Sequence, residues 1–453
     1  MVRVGLLIEV SLYAYYQHNA PGYTNMSNQQ YVEMWKDLGL NLEKHDVLLN
    51  ALGKAYGDLF MAQKNRPAGM KYFDFVISEV HGLRIKELVD RKKAGKKIIG
   101  AFCLYVPEEL VYASDATMVG LCGGADFSIP DAEAVLPRNI CPLVKSFFGF
   151  KVGGTCPYFN SCDLVVGETT CDAKKKVYEV LADYAPTYVM EIPHKIDTPQ
   201  SKALWLAEIK QFKQQMEDLT GNVIEKDQLK EAIRLINAKR SALKRVAETR
   251  KASPPPISGL DALLVNQISF YDDVTRFTQS VNALADELEK RNASGVGVGN
   301  PDKPRLMFSG CPMAIPNWKL HSIIESLGVP VVAEESCIGS RYFTDLVEPK
   351  GDSMDSLLEA IWDKYSSISC ACFTPNEERV TKVVDMAKEF NASGVVYNVL
   401  QYCHTYNVES IKVEKALKKA GVPMLKIETD YGTEDVEQIR TRVEAFTEML
   451  HPA

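Results

Sequence analysis

RLMFSGC (305–311), VPVVAEESC (329–337), ASGVVYNVLQYC (392–403) and VPMLKIETD (422–430) are short apolar runs, and what lies between them decides the fold. WKLHSIIESLG (318–328), MDSLLEAIWDKY (354–365) and ERVTKVVDMAKEF (378–390) carry apolar residues at helical spacing. Strand–helix alternation of this kind builds βαβ units and a parallel sheet. Ligands of such sheets bind beyond the carboxyl ends of the strands. Three of the four runs deliver a cysteine to that edge: Cys311, Cys337 and Cys403.

Working towards the N-terminus, the same pattern returns. KKIIGAFCLY (96–105), ATMVGLC (116–122) and DLVVGETTC (163–171) bring Cys103, Cys122 and Cys171 to strand ends, and Cys141-Pro142 opens a helical stretch after Pro137. Residues 28–96 read as helices, and 199–250 as a long, polar, solvated helical pair closed by Pro254, Pro255 and Pro256. ASGVGVGNPDKP (293–304) contains G-x-G-x-G without the preceding strand of a dinucleotide fingerprint, so it is read as a linker. The expected chain is α/β: a mainly helical segment over 1–96, a Rossmann-like cluster-binding domain over 97–198, a helical region and linker over 199–300, and a second such domain over 301–453. Both domains are doubly wound on parallel sheets.

Composition narrows the function. The 453 residues include 52 basic and 59 acidic side chains, a net charge of −7, with 46% hydrophobic and 25% charged residues. That excludes a disordered chain or a multi-span membrane protein, and argues against a broad nucleic-acid-binding surface. Val4–Tyr16 is interrupted by Glu9 and shorter than the ~20 residues of a membrane helix, so it reads as a buried element. Without an export signal the expected location is cytoplasmic, where cysteines stay reduced.

The 11 cysteines include no C-x₂₋₄-C zinc knuckle; Cys370-Ala371-Cys372 is spaced too closely for one. Thiols scattered over loop ends of two domains fit better an iron–sulfur cluster in the cleft between them. Cys141 gains from its place at a helix start, where main-chain N–H groups favour thiolate. Cys162 has no such positional logic and is expected to be inert. Walker A, H-E-x-x-H and G-x-S-x-G motifs do not occur, so an ATP-driven step would come from a partner.

LCGGADFSIPDAEAVLPRNICPLVKSFFGF (121–150), TCPYFNSCDLVVGETTCDAKKKVYE (155–179), SGCP (309–312), EESCIGSRYF (334–343) and LQYCHTYNVESIKVEKALKK (400–419) resemble the 2-hydroxyacyl-CoA dehydratase and benzoyl-CoA reductase superfamily. Within it they look most like the double-cubane cluster proteins, and the resemblance covers roughly residues 80–453. It implies two Rossmann-like domains around iron–sulfur chemistry, with Cys103, Cys141 and Cys403 in the places of a three-cysteine cluster set. A double-cubane 8Fe-9S cluster would draw further ligands from Cys156, Cys171, Cys311 and Cys337, among which spacing does not choose.

The main expectation from this resemblance is an ATP-dependent, low-potential reductase of small molecules, working as a homodimer with a separate ATP-hydrolysing iron–sulfur activator. The alternatives are a 2-hydroxyacyl-CoA dehydratase subunit with one 4Fe-4S cluster, and a non-catalytic electron-transfer or cluster-storage protein. Beyond the thiols, His404 is expected to deliver a proton or hydrogen-bond a cluster sulfide, and Glu335, with Glu334, to supply protons from a strand end. Arg341 could offset cluster charge. Lys174–Lys176 read as a solvated helix face, and the N-terminal 80 residues, which carry no motif of the family, as a helical embellishment.

Overall fold

The computed structural model describes residues 28–450; the Val4–Tyr16 run lies outside them. Four helices open the described chain, Asn28–Asp37, Leu42–Tyr56, Met70–Ser78 and Leu83–Lys93. Asn41 caps the second by accepting from Lys44 N at 3.1 Å.

Two four-stranded parallel sheets follow. The first comprises β1 (Ile98–Ala101), β2 (Thr117–Gly120), β3 (Leu164–Glu168) and β4 (Thr187–Met190), in the order β2-β1-β3-β4. The second comprises β5 (Leu306–Gly310), β6 (Val331–Glu335), β7 (Gly394–Leu400) and β8 (Met424–Thr429), in the order β6-β5-β7-β8. The two sheets share one topology. Parallel pairing demands crossovers, which place helices on both faces and leave the central strands buried throughout; β1, β3, β5 and β7 are buried at every residue. The α/β, doubly wound architecture read from the sequence is the one observed. β4 escapes the sequence reading because it is an edge strand, with only Met190 of its four residues buried.

In each sheet the chain leaves the first strand to one side and returns to build on the other. The order therefore reverses between β1 and β3, and between β5 and β7, which opens a crevice at their carboxyl ends.

The helices Pro199–Thr220 and Lys226–Thr249 correct the expectation of a solvated pair. The first buries Trp205, Ile209, Phe212 and Met216, and the second buries Ile233, Ile236 and Leu243. The second also carries charge inward. Lys239 donates to Glu108 at 2.5 Å and Arg240 to Glu109 at 2.6 Å; just beyond its end Arg250 donates to Glu334 at 2.6 and 2.7 Å. Because each buried cation meets a carboxylate, a sequence rich in charge can lie at the centre of the molecule. No helix among the described residues is long and apolar enough to cross a membrane.

Candidate functional site

The carboxyl edges of the two sheets face one cavity of about 240 Å³. From the first half Cys103, Cys122, Cys141 and Cys171 line it; from the second, Cys311, Cys337, Cys370, Cys372 and Cys403. All are free thiols. The shared topology explains the convergence. Cys103 and Cys311 follow the first strand of each sheet, Cys122 and Cys337 the second, Cys171 and Cys403 the third. Cys141, Cys171 and Cys403 also sit at the N-caps of the helices Pro142–Val152, Asp172–Leu181 and His404–Lys419. Free N–H groups and the helix dipole favour sulfur anions at such positions.

Two thiol groupings stand out. Cys403 lies beside both Cys141 and Cys311, and its contact with them holds its thiol below the usual range. The Cys403 contact and burial raise Cys141, and burial followed by the same contact raises Cys311. The Leu400 N–H also donates to Cys311 Sγ at 3.4 Å. The grouping brings Cys141 of the first half together with Cys311 and Cys403 of the second. In the second grouping the Cys372 contact outweighs burial and brings Cys370 down to about 5. Arg341 Nη1 lies 3.7 Å from Cys337 Sγ, and Tyr406 Oη lies 3.8 Å from Cys370 Sγ.

The remaining predicted residues fall into clear places. Cys156 does not line the cavity; it packs against Leu48, Ala125 and Phe150. Cys162 is also outside, donating to the Tyr158 carbonyl at 3.2 Å. His404 is exposed and lines the cavity. Glu335 lies behind Cys337, outside the lining, and accepts from Ser309 Oγ at 2.6 Å, from Arg341 at 2.5 and 2.9 Å, and from Arg379 at 3.1 Å. Burial alone would raise its carboxyl, but Arg341 and Arg379 hold it below the usual range. Glu334 is likewise paired, and Arg250 outweighs burial to hold it down to about 2.

Three features of the site were not among the residues predicted for it. Cys370 and Cys372 enter from the loop after the helix Met354–Ser366, which Tyr105 Oη fixes to the first half by donating to the Ile368 carbonyl at 2.6 Å. Cys122 reaches the cavity while donating to the Phe102 carbonyl at 2.8 Å. Lys174 is not on a solvated face: it is buried against Glu168, while Lys175 and Lys176 pair with Asp172 and Glu179 near the surface. Cys122 carried a signal in its place at the end of an apolar run, and the C-x-C pair in its spacing, which pointed away from a zinc knuckle.

The fold and site define a protein of two doubly wound, parallel-sheet halves whose shared cavity is lined by thiols, donors suited to soft metals. Residues 103–450 match the family described as "2-hydroxyglutaryl-CoA dehydratase, D-component", and the chain belongs to it. It is 38% identical over 375 residues to "Putative dehydratase subunit YjiM" of Escherichia coli (strain K12), an alignment covering 82% of this chain and 96% of that one. It is 23% identical over 363 residues to the (R)-phenyllactyl-CoA dehydratase beta subunit of Clostridium sporogenes, covering 79% of this chain and 93% of that one. It is also 23% identical over 372 residues to the (R)-2-hydroxyglutaryl-CoA dehydratase subunit beta of Acidaminococcus fermentans, covering 80% and 95% respectively.

These relatives correct the main functional expectation. They are subunits of dehydratases across most of their length, which overturns the reading of an ATP-dependent double-cubane reductase and favours the dehydratase alternative. Among the described residues no group of three or more His, Cys, Asp and Glu side chains is assembled to hold a metal ion. A four-iron cluster instead spreads its thiolates over several irons. The donor set, soft sulfur on loops from both halves, fits an iron–sulfur cofactor.

Proposed function

We propose that this chain is a subunit of a 2-hydroxyacyl-CoA dehydratase, a carbon–oxygen lyase, and that it holds one 4Fe-4S cluster in the cleft. The observation that carries the reading is the meeting of Cys141 and Cys403, from opposite halves, in one cavity of a chain whose relatives are dehydratase subunits. Cys103, Cys141 and Cys403 are the proposed ligands, with Cys311 in contact with Cys403. When bound, the cluster supplies one-electron chemistry and an iron site open to a substrate oxygen.

The chain's own residues do the rest. Phe102, Leu104, Leu143, Ile315, Ile338 and Leu400 line the cavity and exclude water, which strengthens every charge interaction inside. Loss of water from a 2-hydroxyacyl thioester takes the hydroxyl from C2 and a proton from C3. His404, at the lining and open to solvent, is placed to accept that proton and release it to water. Glu335 orients Arg341 behind Cys337. Partners in this reading are a family-related subunit and an ATP-hydrolysing activator that delivers electrons, in the cytoplasm.

The deciding experiment is iron and acid-labile sulfide analysis of anaerobically purified chain, followed by assay of 2-hydroxyacyl-CoA dehydration. About four irons per chain are expected, with enoyl-CoA formed only when the family-related subunit, reductant, MgATP and activator are all present. Stoichiometric zinc with little iron would overturn the assignment.

A further inference from the structure

Two basic side chains come close to the thiols: Arg341 reaches Cys337 from outside the lining, and Lys174 belongs to the lining itself. Lys174, in the first turn of the helix that Cys171 caps, lines the cavity. Its ammonium pairs with Glu168, at side-chain exposures of 10% and 0%. Tyr178 Oη donates to both Glu168 carboxylate oxygens at 3.3 Å, and Thr170 Oγ1 donates to one at 3.3 Å. Glu168 and Tyr178 are absent from the lining. The carboxylate therefore stands behind the ammonium, and the pair presents its positive end to the thiols.

The reach of that charge crosses the cleft. Cys103, Cys122 and Cys171 of its own half and Cys337 of the other line the same cavity as Lys174. Its main-chain N–H also bonds towards Cys171. A buried Glu168 without its cation would be strongly disfavoured, so the pair is held as a unit. In a water-poor cavity a fixed charge acts far more strongly than in water.

We propose that Lys174, anchored by Glu168 and Tyr178, is a fixed cation of the cleft and raises the reduction potential of the cluster its thiols hold. This rests on the iron–sulfur reading above. Thiolates and sulfides make each added electron costly, and a nearby ammonium offsets part of that cost. Lys174 acts through the cluster and is a positioning residue.

The test is the midpoint potential of anaerobically reconstituted protein, read spectroscopically during a reductive titration with a low-potential chemical reductant. Lys174→Met is expected to lower the potential by at least a tenfold change in the reduced-to-oxidised ratio, about 59 mV for one electron. Lys174→Arg should restore it, and Glu168→Gln should raise it. Equal iron content with an unmoved potential in Lys174→Met overturns the proposal, as does a shift of the same sign in Lys174→Met and Glu168→Gln. Should Lys174→Met lose its iron, retention in Lys174→Arg with a raised potential in Glu168→Gln supports the proposal; loss in the arginine variant overturns it. An unaltered chain that takes up no iron or sulfide overturns the cluster reading itself, a result distinct from a loaded cluster with an unmoved potential.

Discussion

At the scale of single residues, Cys403 joins the two halves of the site. It caps a helix, lies beside Cys141 and Cys311, and sits beyond the longest buried strand of the second sheet. Losing it removes a proposed ligand and the contact it makes with two neighbours. Cys403→Ser is therefore expected to lose most of the iron and visible absorbance, and Cys141→Ser and Cys103→Ser to lower both. Cys156→Ser and Cys162→Ser should leave both unchanged, since their thiols point away from the cavity. Anaerobic iron and sulfide determination on the five variants checks this. Strand ends and the family's segments made Cys103, Cys141 and Cys403 legible in the sequence. Cys370 and Cys372 were not, because they come from a loop whose position is set by Tyr105 on the other half.

At the scale of elements, the helix Lys226–Thr249 joins both halves through buried ion pairs. Arg240 and Glu109 are both fully buried, and Tyr365 Oη donates to the same carboxylate at 2.8 Å. Arg240→Met leaves that carboxylate without its cation, and removal of one partner of a buried pair costs about 3–5 kcal/mol. Chemical denaturation should show that loss, and Arg240→Met combined with Glu109→Gln should recover part of it.

A second element, the helix Leu42–Tyr56, is tied by His45 Nε2 to His81 Nδ1 at 2.9 Å. Burial lowers His45 to about 4 and His81 to about 3, so both are neutral when folded. Their contribution to stability is present above pH 6.5 and is lost as pH falls towards 4. Glu325 works in the opposite sense. Burial raises it to about 7, so its contribution is full below pH 4.5 and fades as pH rises to 7. Melting temperatures at pH 7.5 and 5.0 should show a smaller acid loss in His81→Gln and a larger one in Glu325→Gln than in the unaltered chain.

At the scale of the whole molecule, closure of the cleft depends on close main-chain contact between the halves. Gly124 N donates to the Ile315 carbonyl at 2.8 Å, and a Cβ at Gly124 would lie 2.4 Å from the Ala314 carbonyl oxygen and 3.0 Å from Asn317 Cβ. No side chain can give way at that carbonyl, so Gly124→Ala must separate the halves. Faster hydrogen exchange over 310–318 and faster loss of iron in air are the expected results.

Taken alone, the sequence determined the two alternating strand–helix halves, the delivery of cysteines to strand ends and the family. Those features are local: apolar periodicity sets the elements, and the side chain that follows a strand falls on its carboxyl edge wherever the strand lies. Tertiary structure decided which thiols meet, that Lys174 turns inwards while Lys175 and Lys176 do not, and that a charged helical pair is buried. Each of these depends on a partner far away in the chain, such as Glu108 for Lys239 or Cys141 for Cys403, and burial of a charge or a thiol is set by that partner and not by its sequence neighbours.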